Sequence, residues 1–213
     1  ALLASKKIHG TDDFSAYIEM GGGDQNSLPI WDKLNDVNIV SIANDVSILP
    51  SDEFIEAKSD VESATQLLEY MNSPLVRNEL IIVTLNDYRE AALENNPTFA
   101  IACLSQFSIM INEAIKLLGN VDALLALSST AIDASREVED MGENEFRNEL
   151  LPMFFYTPTG KTHNLGLRLL CDVGPSIAEF FGIERSKLIG ASMGKWFFDD
   201  SNPQLEEESS LHS

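Results

Sequence analysis

The chain is short of the side chains that most often carry chemistry: 213 residues hold three histidines and two cysteines. Two cysteines cannot build a disulfide scaffold. Cys103 and Cys171 both sit in apolar, helix-like patterns, where a thiol serves as a small buried hydrophobe. That usage favours a reducing, intracellular setting, with the cytoplasm as the expected compartment. Of the histidines, His9 falls in an expected arm and His212 in an expected tail, so only His163 is placed near a folded site. Basic residues are scarce as well, with 14 Lys and Arg against 34 Asp and Glu and a formal charge of −20. So acidic a chain is unsuited to coating nucleic acid, which takes basic surface to displace counterions from phosphates. It suits high solubility and basic partners. Long apolar runs are missing too. "LIIVTL" and "FAIACL" fall far short of the roughly 18 residues of a membrane span, so no span is expected. The start, "ALLASKKIHG", lacks the ordered regions of an intact signal peptide.

What the chain does have is helical spacing. From Ser51, read as an N-cap, Ala57, Val61, Ala64, Leu68 and Met71 fall on one helix face. A second helix is expected from Ser73-Pro74, carrying Ile81, Leu85, Tyr88 and Ala92. A third follows Asn96-Pro97 with two adjacent stripes. One is Cys103, Phe107, Met110, Ala114 and Leu117; the other is Leu104, Ile111, Ile115 and Leu118. So wide an apolar surface calls for neighbours on more than one side, which puts this helix at the centre of a bundle. Gly119-Asn120 closes it, and a fourth helix shows Leu124, Leu127, Ala131, Ala134, Val138 and Met141. Shorter helical pieces are expected before Pro152, from His163 to Val173, after Gly174-Pro175, and around Ile189 to Phe197.

The predicted fold is therefore mainly α: an antiparallel bundle of about six to seven helices, all-α apart from a short N-terminal β-hairpin or extended arm. For the hairpin, Val37, Ile39, Val46 and Ile48 are β-branched and Asn44-Asp45 supplies the turn; the alternative is an irregular arm packed across the helices. The expected organisation is a flexible arm and glycine-rich linker over 1–36, a helical domain over 37–198, and a disordered acidic tail over 199–213.

Several motifs suggest chemistry without completing it. "YTPTGKTHN" ends like a phosphate-binding loop, but Phe155 stands where the first glycine belongs and Pro158 removes an amide from the cradle. A turn with Thr162 as an N-cap is the expected reading. "LIIVTLND" has the look of a strand ending in a metal-binding aspartate, yet falls inside a helical repeat. "GASMG" matches G-x-S-x-G around Ser192, but only His212 follows it and no strand–helix framework surrounds it. The acidic run from Asp133 to Glu149 lacks the Glu-x-x-His pairs of di-metal bundles and the ordered pattern of a calcium loop. No catalytic residue, cofactor or metal is assigned.

Charge distribution carries the functional expectation. Residues 151–198 hold Lys161, Arg168, Arg185, Lys187 and Lys195 against Asp172, Glu179 and Glu184, a balance of 5 − 3 = +2. The remainder holds 9 basic and 31 acidic residues, or −22. The basic part is also rich in large apolar side chains such as Phe154, Phe180 and Trp196. Unlike ends of this kind steer head-to-tail association. Lys161, His163, Arg168, Arg185, Lys187, Lys195 and Trp196 are the candidate interaction surface. The favoured function is a non-enzymatic structural or assembly protein acting through protein contacts and self-association, a class that includes virion or nucleocapsid components. Any nucleic acid would bind at 161–195. The alternatives are an acidic inhibitor that mimics nucleic acid on a basic partner, and a small-molecule-binding helical bundle.

Overall fold

The computed structural model describes residues 30–44, 51–74, 78–128, 152–160, 164–185 and 187–194. Across those residues the chain is a mixed α/β fold, with four α-helices and five strands in two sheets, in place of the six-to-seven-helix bundle.

The central element is β1 (Asn38–Ala43), every residue of which is buried. On one side it pairs in parallel with β2 (Glu53–Glu56), and on the other with β3 (Glu79–Val83), giving the order β2-β1-β3. The expected hairpin is thus replaced by a parallel pair; Val46 and Ile48 lie outside the described residues. Asp52 ties β1 to the start of β2 twice. Its N–H donates to the carbonyl of Ile39 at 2.8 Å, and its carboxylate accepts the N–H of Ile39 at 2.8 Å. At the outer edge, Glu53 and Glu56 are exposed. Charge there discourages a further strand from pairing.

Between β2 and β3 the chain crosses β1 by way of α1 (Asp60–Met71). This helix starts later than the Ser51 cap predicts, because Glu53–Glu56 has gone into the sheet. Ser59 is the actual cap, accepting the N–H of Glu62 at 3.3 Å, while Glu62 reaches back to accept the N–H of Lys58 at 2.8 Å. Val61, expected in the apolar stripe, is 55% exposed, and Ser63 and Leu67 are buried instead.

The predicted second helix proves to be a strand and a helix in succession, β3 and then α2 (Asp87–Leu93). "LIIVTLND" is therefore largely a strand running out to Asn86 and Asp87. The third helix stands as expected: α3 (Pro97–Leu117) is capped by Asn96, whose Oδ1 accepts the N–H of Phe99 at 3.1 Å. Its position differs. It lies on α1 and α2 at the outside of the fold rather than at the centre of a bundle. The start of the predicted fourth helix is β4 (Leu124–Leu127), paired antiparallel with β5 (Met153–Tyr156). Ala131, Ala134, Val138 and Met141 lie outside the described residues. Residues 164–169 are irregular where a helix to Val173 was expected, and a 3-10 turn, Leu170–Asp172, leads into α4 (Val173–Phe180).

The sheet separates two cores. Ile39, Leu80 and Ile82 project to one side, against α4, the β4–β5 pair, Met193 and Ile30, Trp31 and Leu34 from the segment before β1. Val40, Ile42, Ile81 and Val83 project to the other, against Leu67 of α1 and Phe107 and Met110 of α3. Strand alternation is present, but both phases are apolar because both faces are covered.

Candidate functional site

In open parallel sheets, ligand sites form beyond the carboxyl ends of the strands where the order of connection reverses. Here that place lies past β1 and β3, since the chain goes from β1 to one neighbour and then crosses to the other. It brings together Asn44, Asp60, Asn86 and Asp87. The α2 helix has no side-chain cap of its own at Asn86. Asp60 supplies it from the neighbouring helix, Oδ1 accepting the N–H of Asn86 at 2.8 Å and Oδ2 that of Asp87 at 3.1 Å. The arrangement is reciprocal, for Asp87 Oδ2 accepts the N–H of Asp60 at 3.1 Å. Asn86 Nδ2 also donates to Asn44 Oδ1 at 2.8 Å, attaching the pair to the end of β1.

Burial pushes the Asp60 carboxyl up from 3.8 to about 6, an effect opposed by the N–H of Asn86 and reinforced by the charge of Asp87. The Cys103 thiol of α3 is raised as well, by burial first and then by the charges of Asp87 and Asp60. Two carboxylates near one another resemble the start of a cation site. Their oxygens are, however, engaged by backbone amides of the two helices. Among the described residues no three or more His, Cys, Asp or Glu side chains gather where a metal ion would fit. The cluster works as a clasp that joins α1, α2 and the sheet.

"GASMG" is engaged in the same way. Asp172, 5% exposed, accepts the N–H of Leu169 on Oδ2 at 3.1 Å and that of Ala191 on Oδ1 at 2.8 Å. Ser176 Oγ donates to the carbonyl of Asp172 at 2.6 Å and accepts the N–H of Met193 at 2.8 Å. Gly190 has φ +103, and a Cβ there would stand 2.3 Å from the carbonyl oxygen of Cys171. Ser192 Oγ accepts the N–H of Gly194 at 2.9 Å. The motif is a loop held against α4, not a strand-to-helix elbow. "YTPTGKTHN" likewise begins in β5 and turns at Thr157–Gly160, the N–H of Gly160 donating to Thr157 at 3.1 Å. Its Lys161, Thr162 and His163 lie outside the described residues.

Of the predicted interaction surface, Lys161, His163, Lys195 and Trp196 lie outside the described residues, and three members are placed. Arg168 is half-buried and donates from Nε to the carbonyl of Leu165 at 2.9 Å. Arg185 pairs with Glu179, and Lys187 is exposed. The aromatic side chains nearby divide in two. Phe155, Phe180 and Phe181 pack on the core, while Phe154 faces outward.

A surface that spacing alone did not locate is the outward side of α3. Only Ala100, Met110 and Ala114 of its 21 residues are buried. Ile101 is 66% and Ile109 55% exposed, and Phe99 and Leu104 are also exposed. Its two charged side chains, Glu113 and Lys116, pair with each other at 2.6 Å. By length and composition alone this helix is also apolar enough to cross a bilayer. The width of the stripe was legible in the sequence; which part of it stays uncovered was not. A scan against protein-family models gives no match to this chain, and a search of curated proteins gives none.

Proposed function

We propose that this protein is a non-catalytic assembly component that works by protein–protein contact, with the outward side of α3 as the contact surface. One observation carries the reading: a 21-residue apolar helix of which three residues are buried. Exposed apolar surface costs free energy in water, at roughly 25 cal/mol per Å², and Ile101, Leu104 and Ile109 place it on the outward side of α3 among Ser105, Ser108 and Asn112. The polar clusters lend support from the other side. The carboxylates of Asp60, Asp87 and Asp172 accept backbone N–H groups, a structural use of each side chain.

Site-specific photo-crosslinking in the cells that make the protein tests this. A crosslinking side chain placed at Ile101 or Ile109 is expected to give protein adducts of defined mass. The same group at Glu69, exposed on α1, is expected to give none. Absence of protein adducts at both α3 positions overturns the proposal, as do adducts to lipid alone.

A further inference from the structure

The outward side of α3 has small side chains at its middle and an isoleucine to either side of them. Ile101, Ser105, Ser108 and Asn112 follow one another at spacings of 4, 3 and 4, which puts them on one helix face. All four are exposed, and exposed Leu104 and Ile109 flank them. Ser105 uses its hydroxyl within the helix, Oγ donating to the carbonyl of Ile101 at 3.0 Å. It can therefore be covered without leaving a donor unpaired. Small residues at this place also let a second helix axis come close.

The two ends of the helix differ in charge. From Pro97 to Asn112 no side chain is charged. Beyond them stand Glu113 and Lys116, paired with each other at 2.6 Å and both well exposed. At the other end, where α2 leads into α3, Glu90 and Glu94 are exposed beside Arg89. The first turn of α3 itself holds no acid.

Building on the reading of α3 as a contact surface, we infer that its occupant is a second copy of this chain, the two α3 helices lying antiparallel about a twofold axis at Ser105. In that register Ile101 of each copy comes level with the partner's Ile109, since the two are equally far from Ser105 in the chain. Lys116 follows Ser105 by as many residues as Glu94 precedes it, so each Lys116 comes level with the partner's Glu94. Its ammonium has three donors, of which Glu113 takes one. Glu113 comes level with the partner's Pro97, at the positive end of a helix dipole that no acid there offsets. A parallel pair would set Lys116 against Lys116 and Glu113 against Glu113, and like charges in apposition disfavour an interface. The contact uses one and the same face on both copies, so it closes at two and grows no further.

Sedimentation velocity and cysteine crosslinking on the purified full chain test the inference. The wild type is expected to pass from monomer to dimer with rising concentration and to form nothing larger. Ile101→Asp is expected to weaken the dimer by about tenfold or more. Lys116→Glu is expected to weaken it by about fivefold, and Glu94→Lys added to Lys116→Glu is expected to restore it. All three positions are exposed. Far-UV circular dichroism verifies that the variants fold, and Ile101→Ser replaces Ile101→Asp if that one does not. Under mild oxidation Ser105→Cys, placed on the axis, is expected to give a disulfide-linked dimer. Ile101→Cys and Ile109→Cys are expected to give one only when mixed. The wild type, with Cys103 half-buried and Cys171 buried, is the control.

A wild type that stays monomeric at all concentrations overturns the inference, as does assembly beyond the dimer that Ile101→Asp abolishes. Self-crosslinking of Ile101→Cys alone means a parallel pair and overturns it too. So does a Lys116→Glu/Glu94→Lys variant that associates no more tightly than Lys116→Glu. If the wild type is monomeric, adducts from Ile101 to a different protein leave the proposed function standing, whereas capture by neutral phosphatidylcholine vesicles, without protein adducts, removes both.

Discussion

The two sides of the parallel sheet are closed by different means. On one side the short helix α4 buries five of its eight residues, and the loop after it is fixed by the Asp172 carboxylate and the Ser176 hydroxyl. On the other, α3 is nearly three times as long and buries three residues. Apolar content therefore does not measure how deeply an element sits. Depth follows from where the backbone's polar groups are satisfied: around α4 they are met from several directions by buried side chains, whereas α3 satisfies its own internally and can rest on the outside.

The sharpest way to break this contrast is at the sheet both sides share. Ile42 is fully buried in β1, and Ile42→Ala is expected to cost about 2–5 kcal/mol by urea denaturation. A loss under 1 kcal/mol would mean that β1 is not the centre of the fold. Next is the fixed side. Asp172→Ala removes a charged acceptor from two part-buried backbone N–H groups, bonds of a kind worth about 1.5–3 kcal/mol each, so a loss of about 3 kcal/mol is expected. Opening should be local, so amide exchange at Leu169 and Ala191 should accelerate before exchange in β1 does. On the open side, Met110→Ala and Ile101→Ala form an internal comparison. The buried methionine should cost about 2–4 kcal/mol, and the exposed isoleucine under about 0.5 kcal/mol in the monomer.

A separate effect concerns pH. Asp60 has its folded-state value raised to about 6 from 3.8. The folded chain then holds this proton more tightly than the unfolded chain does. The resulting stabilisation is fully present below the unfolded value, near pH 4, and is lost as pH rises through about 6. Burial is the main cause, and the charge of Asp87 adds to it. Thermal melts between pH 4 and 7 should show the slope in wild type, and Asp60→Asn should flatten it while leaving the general acidic repulsion of the chain in place.

Local signals were readable in the sequence where a single residue type dictates geometry. Asn96-Pro97 marked the start of α3, because an asparagine cap followed by proline fits little else, and Gly174-Pro175 fell in the first turn of α4. The sheet was missed because β1 and β3 are covered on both faces. "ELIIV" then shows no alternation, and Ile81, Leu85, Tyr88 and Ala92 fall at helical spacing although they span β3, a connection and α2. Ala57 misled similarly. It is buried because β2 ends beside the core, not because it lies on the stripe of α1. At the candidate site, the apolar width of α3 was apparent from composition. The mutual capping of Asp60 and Asp87 was not, since residues 27 apart in the chain carry no local trace of their pairing.

The order β2-β1-β3 has a consequence for the chain as it leaves the ribosome. The middle strand is the earliest of the three to be made, and the neighbour on its far side arrives only after α1 has been synthesised. Until then "NIVSIA" is a nascent sticky segment with nothing to hide it, a condition that invites misassembly in slow-closing parallel topologies. The interval in which residues 44–79 are synthesised is thus the one in which this hexapeptide stands exposed to wrong partners.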